Sequence, residues 1–188
     1  MSILRTNKIT DLGGNNIISS NGSGTFTQTF AANTPSFQVR NGGSGQTLSS
    51  GTDTKLTAFD TADFDTDSGW NASDSKYTVQ TNKAGKYFLY AQIKYGGSGD
   101  RRLQLTIRKN GLSVTRCANN VDYYAGVTVS SILDLAVGDY LELYARLDNG
   151  GGGTVGTATI EEFFGGYKLI WHQFLKQILF KIYHLQFY

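Results

Sequence analysis

Apolar and polar residues alternate along most of the central part of the chain, between Pro35 and Ile170. Such alternation places every second side chain on one face of an extended strand, so it predicts strands with one buried face. The segments with this pattern are "SFQVR", "TKLTAF", "KYTVQ", "KYFLYAQIKY", "RLQLTIRKNG", "VTVSSILDL", "DYLELYARL", "TVGTATI" and "FFGGYKLI". Glycine-rich turns such as "NGGSG" and "YGGSGD" separate them. Nine or ten short strands over about 135 residues predict an all-β sandwich or jelly roll.

The two ends of the chain have different patterns. Residues 1–34 carry short apolar pairs between Gly, Asn and Ser turns. Strands this short cannot form a core alone, so they pair with other chains, or the segment is a flexible arm. Residues 171–188 repeat apolar side chains at the i, i+3, i+4 and i+7 spacing of one helical face. We therefore predict an extended N-terminal attachment arm (1–34), a jelly-roll head domain (35–170) and an amphipathic C-terminal tail (171–188), which is helical.

Composition narrows the class of protein. The chain of 188 residues has a net charge of +2 and no dense Lys/Arg block, so we expect no nucleic acid as partner. Cys117 is the only cysteine, which excludes an internal disulfide and a multi-cysteine metal site. The N-terminus lacks the charged-then-apolar pattern of a secretory signal, so we expect synthesis in a cytoplasm.

The acidic stretch "FDTADFDTDSGW" raises the question of a metal site. Asp63, Asp65 and Asp67 alternate like the first ligands of a calcium loop. Such a loop needs glycine at its sixth position and glutamate at its twelfth, where this sequence has Ser68 and Asp74. We therefore predict no metal site, and a looser surface calcium site stays open as the alternative.

The same stretch carries a resemblance to a known family. Phe59, Asp65, Trp70 and Tyr77, followed by "GKYFLY", have a spacing similar to the signature of the globular head of the complement component 1q family. "LDLAVGDYLEL" and "FFGGYKLI" resemble that family's Leu-x-Leu-x-x-Gly-Asp hairpin and its closing strand. The sequence departs from the family pattern at Tyr77, where the family has phenylalanine, and in the seven rather than five residues that precede Gly85.

This resemblance implies a ten-stranded jelly roll that assembles as a compact homotrimer, a fold shared with the tumour necrosis factor superfamily. The residues agree with it. Tyr87 and Leu89 alternate with Phe88 and Tyr90, so one pair can enter the sandwich while the other faces a neighbouring subunit. Asp65 is then expected to be a turn residue and Trp70 an anchor under a loop.

The head has no predicted catalytic group. Both histidines, His172 and His184, lie in the tail, so the head lacks an imidazole for general-base catalysis or metal binding. Glu161 and Glu162 are adjacent in the sequence, so in a strand they point to opposite faces and cannot flank one bond. We expect no enzyme activity and no cofactor.

Three aromatic residues are candidates for surface recognition. Trp70, with Tyr123 and Tyr124 in "NNVDYYAG", could stack on the sugar rings of host surface glycans. The alternative is that the two tyrosines pack at a trimer interface.

The opening of the chain favours one class of function. "MSILRTNKITDLGGNNI" resembles the start of bacteriophage fibre and appendage proteins, and the sequence has neither the collagen repeat nor the cysteine pairs of animal complement-type proteins. We therefore expect a phage virion structural protein, a trimeric head-decoration or fibre-tip knob on the virion surface, assembled in the host cytoplasm. Its arm or tail would attach it to another virion protein. The alternative is a secreted or cell-surface lectin-like recognition module of complement 1q type.

Overall fold

The computed structural model describes residues 8–10, 12–13, 16–23, 26–28, 35–123, 125–156 and 160–169. The chain divides into two units, of which Thr34–Leu169 is the larger and is called the head below. In the N-terminal segment, Lys8–Thr10 (β1), Asn16–Ser20 (β2) and Phe26–Gln28 (β3) form an antiparallel sheet in the order β1-β2-β3. The helix predicted for residues 171–188 lies outside the described residues.

The described part of the head contains thirteen strands. They are Ser36–Arg40 (β4), Gln46–Leu48 (β5), Thr54–Lys55 (β6), Thr61–Asp65 (β7), Trp70–Asn71 (β8), Lys76–Thr78 (β9), Gly85–Lys94 (β10), Arg101–Lys109 (β11), Leu112–Val121 (β12), Gly126–Leu135 (β13), Tyr140–Asp148 (β14), Gly153–Val155 (β15) and Phe163–Lys168 (β16).

These strands form two main antiparallel sheets. The five-stranded sheet has the order β13-β10-β16-β4-β7, and the six-stranded sheet has the order β12-β11-β14-β9-β8, with β6 also paired to β14. β15 and β5 form a separate two-stranded ribbon. No helix occurs among the described residues, and none that could span a bilayer is found there. The all-β prediction is confirmed.

The core lies between the two sheets and follows the predicted alternation. In β10, Tyr87, Leu89, Ala91 and Ile93 are buried, while the residues between them are only partly covered. The six-stranded sheet contributes the buried side chains Leu103, Leu105, Ile107, Leu141, Leu143, Ala145 and Leu147. Full burial of a side chain of this size stabilises the fold by about 1.5 to 3 kcal/mol, so these layers supply most of the driving force for folding.

The alternation does not predict every strand. β12, Leu112–Val121, has mostly exposed side chains and no regular apolar period, so its sequence looks like a loop. It is a strand because it pairs with β11 along its whole length. The ten strands implied by the family resemblance become thirteen because several segments pair over only two or three residues.

Candidate functional site

One side of the five-stranded sheet carries an unusual number of large apolar side chains. Strand β10 buries Tyr87 and Leu89, so Phe88 and Tyr90 point to the opposite side. Neighbouring strands add further residues to this side, which we call the aromatic face. Its members are Phe64, Phe88, Tyr90, Ile132, Phe163 and Tyr167.

The rings of the aromatic face contact one another across β10 and β16. The ring centroid of Phe88 lies 6.0 Å from that of Tyr90 and 5.5 Å from that of Tyr167, its register partner in β16. The ring of Tyr90 meets that of Phe163 at 5.9 Å in an edge-on arrangement. Rings at these separations attract each other beyond the area they bury, so the four form a continuous, ordered surface.

Tyr90 is held in this surface by its neighbours. A side chain on Gly165 would put its Cβ 2.6 Å from the Tyr90 ring, so the glycine leaves room for the ring to lie across β16. The Tyr90 hydroxyl donates to Gln38 Oε1 at 2.9 Å, and Gln38 Nε2 donates to Asp63 Oδ2 at 2.9 Å. Burial raises the pKa of Tyr90, and the nearby Tyr167 and Asp63 add to the effect, so the hydroxyl stays protonated as a donor.

Two residues at the sides of this face are well exposed. Phe64 on β7 is 45% exposed and Ile132 on β13 is 57% exposed. Single exposed apolar residues are ordinary, but a connected patch of them on a monomer marks an interaction surface.

The other end of the same sheet face is polar. A depression of about 260 Å³ is lined by Gln92, Lys94, Gly126, Thr128 and Glu161. Thr128 Oγ1 donates to Gln92 Oε1 at 2.9 Å, and Gln92 Nε2 donates to the Glu161 carbonyl at 2.9 Å. Lys94 and Glu161 form an ion pair. The outward side of the five-stranded sheet is therefore apolar at one end of its strands and lined by hydrogen-bonding side chains at the other.

The acidic stretch forms a strand and a turn. Asp65 ends β7, and its carboxylate accepts the backbone N–H groups of Gly69 at 3.1 Å and Trp70 at 2.8 Å. These bonds close the loop between β7 and β8. The side chain thus satisfies two donors that the turn would otherwise leave unpaired.

The two flanking aspartates have separate cationic partners. Asp63 Oδ1 lies 2.9 Å from Arg40 Nε, and Asp67 Oδ1 lies 2.7 Å from Lys83 Nζ. Within the part of the chain that the structure describes, no three His, Cys, Asp or Glu residues converge as metal ligands would.

Trp70 and Tyr123, two of the residues predicted for surface recognition, do not come together. Trp70 is half-buried, its ring parallel to Phe37 at 6.4 Å and edge-on to Phe164 at 6.0 Å, so it packs on the core. Tyr123 is 67% exposed in the turn between β12 and β13, with φ of 34°. Tyr124 lies outside the described residues.

Strand register separates these two sites. Phe37, which packs on Trp70, pairs with Gly166, and Gly166 pairs with Leu89 in β10. The turn of Tyr123 leads into β13, whose first residue pairs with Lys94 at the far end of β10. At about 3.3 Å per residue, Leu89 and Lys94 are roughly 17 Å apart along the strand.

Comparison with known proteins adds the fold relationship. No protein-family model and no curated protein matches the sequence. Solved structures do match: the globular domain of zebrafish complement 1qA protein has a TM-score of 0.52 and 16% identity, over 72% of this chain and 98% of that one. Eiger TNF from S. frugiperda has a TM-score of 0.54 and 18% identity, over 72% and 92% of the two chains. Murine APRIL matches with a TM-score of 0.51 and 16% identity, over 71% and 98%.

The chain has a complement 1q/TNF-like fold. The jelly-roll prediction is therefore confirmed, although sequence identity is low. Within this fold, the alternation in β10 already indicated that Tyr87 and Leu89 lie on one side and Phe88 and Tyr90 on the other, but not which pair is buried. The sequence alone did not indicate that Phe64, Ile132, Phe163 and Tyr167 lie beside Phe88 and Tyr90, because they come from three other strands.

Proposed function

We propose that this chain is a non-enzymatic structural protein of a bacteriophage particle, and that its head forms a homotrimeric knob on the virion surface. The observation that carries the self-association is the aromatic face. Its rings are ordered against each other, and Phe64 and Ile132 leave the face substantially open to solvent in the single chain.

Burial of this face explains why association is favourable. Apolar surface removed from water contributes about 25 cal/mol per Å², and rotationally symmetric contacts let identical chains cover the same face on one another. A trimer follows from the resemblance to complement 1q heads. The polar end with Lys94 and Glu161 would add charged contacts that set the register between subunits.

The virion role rests on the ends of the chain and on the chemistry of the head. The opening residues resemble phage appendage proteins, and the short strands β1–β3 are small attachment elements of the kind such an arm needs. With Cys117 as the only cysteine, the knob depends on apolar packing and association, rather than disulfides, to persist outside a cell. The arm or tail would bind another virion protein, and the 67%-exposed Tyr123 would be available to a host glycan.

Light scattering on the full chain tests the trimer. We expect the mass of three chains at micromolar concentration, and a monomer from the double variant Phe88→Ser/Tyr167→Ser, because both rings leave the aromatic face. Leu112→Ser is the matched control, since Leu112 is 73% exposed but lies in the other sheet, and it should stay trimeric. A monomeric native chain would contradict the trimer.

Immunogold labelling tests the virion role. Antibodies against the head should decorate intact phage particles from an infected host at regular positions. Labelling of the host cell surface instead, without particles, would favour the secreted or cell-surface lectin-like module.

A further inference from the structure

The outward side of the six-stranded sheet concentrates positive charge. Residues 35–169 contain 13 Lys/Arg and 14 Asp/Glu, so the head as a whole is slightly negative. One surface, which we call the arginine face, has five cations for three carboxylates. The cations are Lys55, Arg102, Arg108, Arg116 and Arg146, and the carboxylates are Asp53, Glu142 and Asp148.

Strand pairing brings these residues to one side. In β11 the core takes Leu103, Leu105 and Ile107, so Arg102 and Arg108 point outward. Register partners share a side, which places Arg116 of β12 beside Thr106, and Lys55 of β6 beside Tyr144 of β14. The face therefore spans four adjacent strands.

Two of the guanidinium groups share a single carboxylate oxygen. Asp53 Oδ2 lies 2.6 Å from Arg108 and 3.5 Å from Arg116. The Arg108 guanidinium also stacks on the Tyr144 ring at 3.7 Å, and Arg116 Nε donates to Thr106 Oγ1 at 3.0 Å. These contacts fix the cations close together, at a cost in mutual repulsion that one carboxylate only partly offsets.

A second carboxylate is shared in the same way. Asp148 accepts from Arg146 Nε at 2.8 Å, lies 3.9 Å from Arg102, and also accepts from Gln104. Arg146 is the main cause of the lowered pKa of Asp148. The side chains of Arg102, Arg116 and Arg146 remain 50%, 45% and 39% exposed, so their outer N–H groups face solvent.

Cationic donors outnumber carboxylate acceptors on this face. Four guanidinium groups and one ammonium group carry about 23 N–H donors, whereas three carboxylates offer about 12 lone pairs. An added anionic group would find fixed, partly desolvated donors and would relieve the repulsion between the arginines.

We propose that the arginine face binds an acidic polysaccharide, one that carries sulfate or carboxylate groups on its sugars. The cations lie mainly on interior strands of a flat sheet, which offers neither the groove nor the sheet edge that peptides use. A charge excess of two on a slightly negative head is too small for the dense charge of nucleic acid. The inference deepens the proposed function and rests on it for avidity. Because the six-stranded sheet lies opposite the aromatic face, a trimer formed through the aromatic face displays three arginine faces, which together bind a polymer more tightly than one.

Defined polymers test the binding. We would measure binding of the full chain to dextran sulfate, carboxymethyl dextran and uncharged dextran at about 50 mM and 200 mM salt. We expect binding to an acidic dextran that weakens with salt, and none to the uncharged polymer. Binding to one acidic dextran and not the other identifies the acidic group; equal binding of uncharged dextran overturns the proposal.

Variants with opposite expected signs locate the surface. Arg116→Gln/Arg146→Gln should weaken binding about tenfold or more, because two charge-assisted contacts are lost. Asp53→Asn should strengthen it, since the carboxylate that competes for Arg108 and Arg116 is removed. Lys83→Gln is the matched control, because Lys83 is also a partly exposed, carboxylate-paired cation but lies outside this face. Melting temperatures of all variants check that each one folds.

Three further results would overturn the inference. Unchanged binding by Arg116→Gln/Arg146→Gln would place the site elsewhere. Stronger competition by duplex DNA or by polyglutamate than by acidic dextran would identify a nucleic acid or an acidic protein as the partner. Light scattering on the same samples separates the two proposals: a monomer that still binds through the arginine face contradicts only the trimer, and a trimer that does not bind contradicts only this inference.

Discussion

Glu162 shows how a single buried carboxylate can connect distant parts of this chain. Its side chain is fully buried, and Oε1 accepts the backbone N–H groups of Lys94 at 3.1 Å and Gly156 at 2.9 Å. Oε2 accepts from the buried Asn41 amide at 2.9 Å. Burying a charge is costly unless it is hydrogen-bonded, and here three donors from three chain segments compensate it.

We expect Glu162→Gln to destabilise the head by about 2 to 3 kcal/mol, because the new amide N–H₂ must face one of these donors. Urea unfolding measures the change. The adjacent Glu161→Gln is the control: Glu161 is 44% exposed and its ion pair with Lys94 is superficial, so the cost should stay below about 1 kcal/mol. Equal effects at both positions would mean that the buried bonds contribute little.

Asp139 connects stability to pH. Its carboxylate accepts from Lys109 and from Asn110, each at 2.7 Å, and from the backbone N–H of Ala136. The Lys109 contact is the main cause that lowers the pKa of Asp139 to about 2. Because the pKa is lower in the folded chain than the usual value of about 3.9, the contribution is fully present above pH 4 and is lost as the pH falls toward 2.

We therefore expect Asp139→Asn to be less stable than the native chain at pH 7, with a difference that shrinks between pH 4 and pH 2. Urea unfolding across this range measures it. Asp74→Asn is the control, since Asp74 is 51% exposed and should change stability little at any pH. If the stability difference between Asp139→Asn and the native chain did not change with pH, the lowered pKa of Asp139 would not be its cause.

At the scale of elements, strand β16 is the one that joins the core to the aromatic face. It lies in the middle of the five-stranded sheet, between β10 and β4. A Cβ on Gly165 would come within 2.6 Å of the Tyr90 ring and 2.8 Å of the Phe37 carbonyl oxygen. Because Gly165 has no side chain, the Tyr90 ring of β10 can lie across β16 at this position.

We expect Gly165→Ala to destabilise the head by about 1 to 3 kcal/mol and to weaken the trimer, because Tyr90 must leave its place in the ring surface. Thermal unfolding and light scattering report the two effects. Gly151→Ala provides the control: nothing lies within 4 Å of its added Cβ, so it should be silent. A Gly165→Ala protein with native stability and native mass would show that the crossing ring is not needed.

The whole head is a sandwich whose two outer faces have opposite chemistry. The five-stranded sheet presents the rings that we propose as the contact between copies of the chain, and the six-stranded sheet presents the arginines that we propose as the site for an acidic polysaccharide. Among the described residues, the buried core runs from Phe37 to Phe164, inside the unit Thr34–Leu169. The head therefore contains its own core.

We predict that residues 34–169 alone fold cooperatively and form the same trimer, because both the core and the aromatic face lie within them. Circular dichroism with thermal unfolding and light scattering check this. Removal of residues 171–188 alone should leave the head folded and improve solubility or weaken attachment to particles. Loss of the folded state in either truncation would place part of the core outside 34–169.

The sequence by itself determined the fold class and which reactive side chains the head contains. Alternation is a local property, so "SFQVR" and "KYFLYAQIKY" identified β4 and β10 as strands, and the turn role of Asp65 followed from the resemblance to the complement 1q head. The residue positions alone showed that the head has no histidine side chain, and the single cysteine showed that it has no internal disulfide.

Only the tertiary structure decided which strands share a surface. β12 has no periodic signal and exists through its pairing with β11, and Asp53 meets Arg108 and Arg116 from positions more than fifty residues away. Ring contacts such as Phe88 with Tyr167 depend on register between strands far apart in the chain. A shift of one residue would turn either side chain to the other face, so these surfaces depend on long-range pairing, which local patterns do not encode.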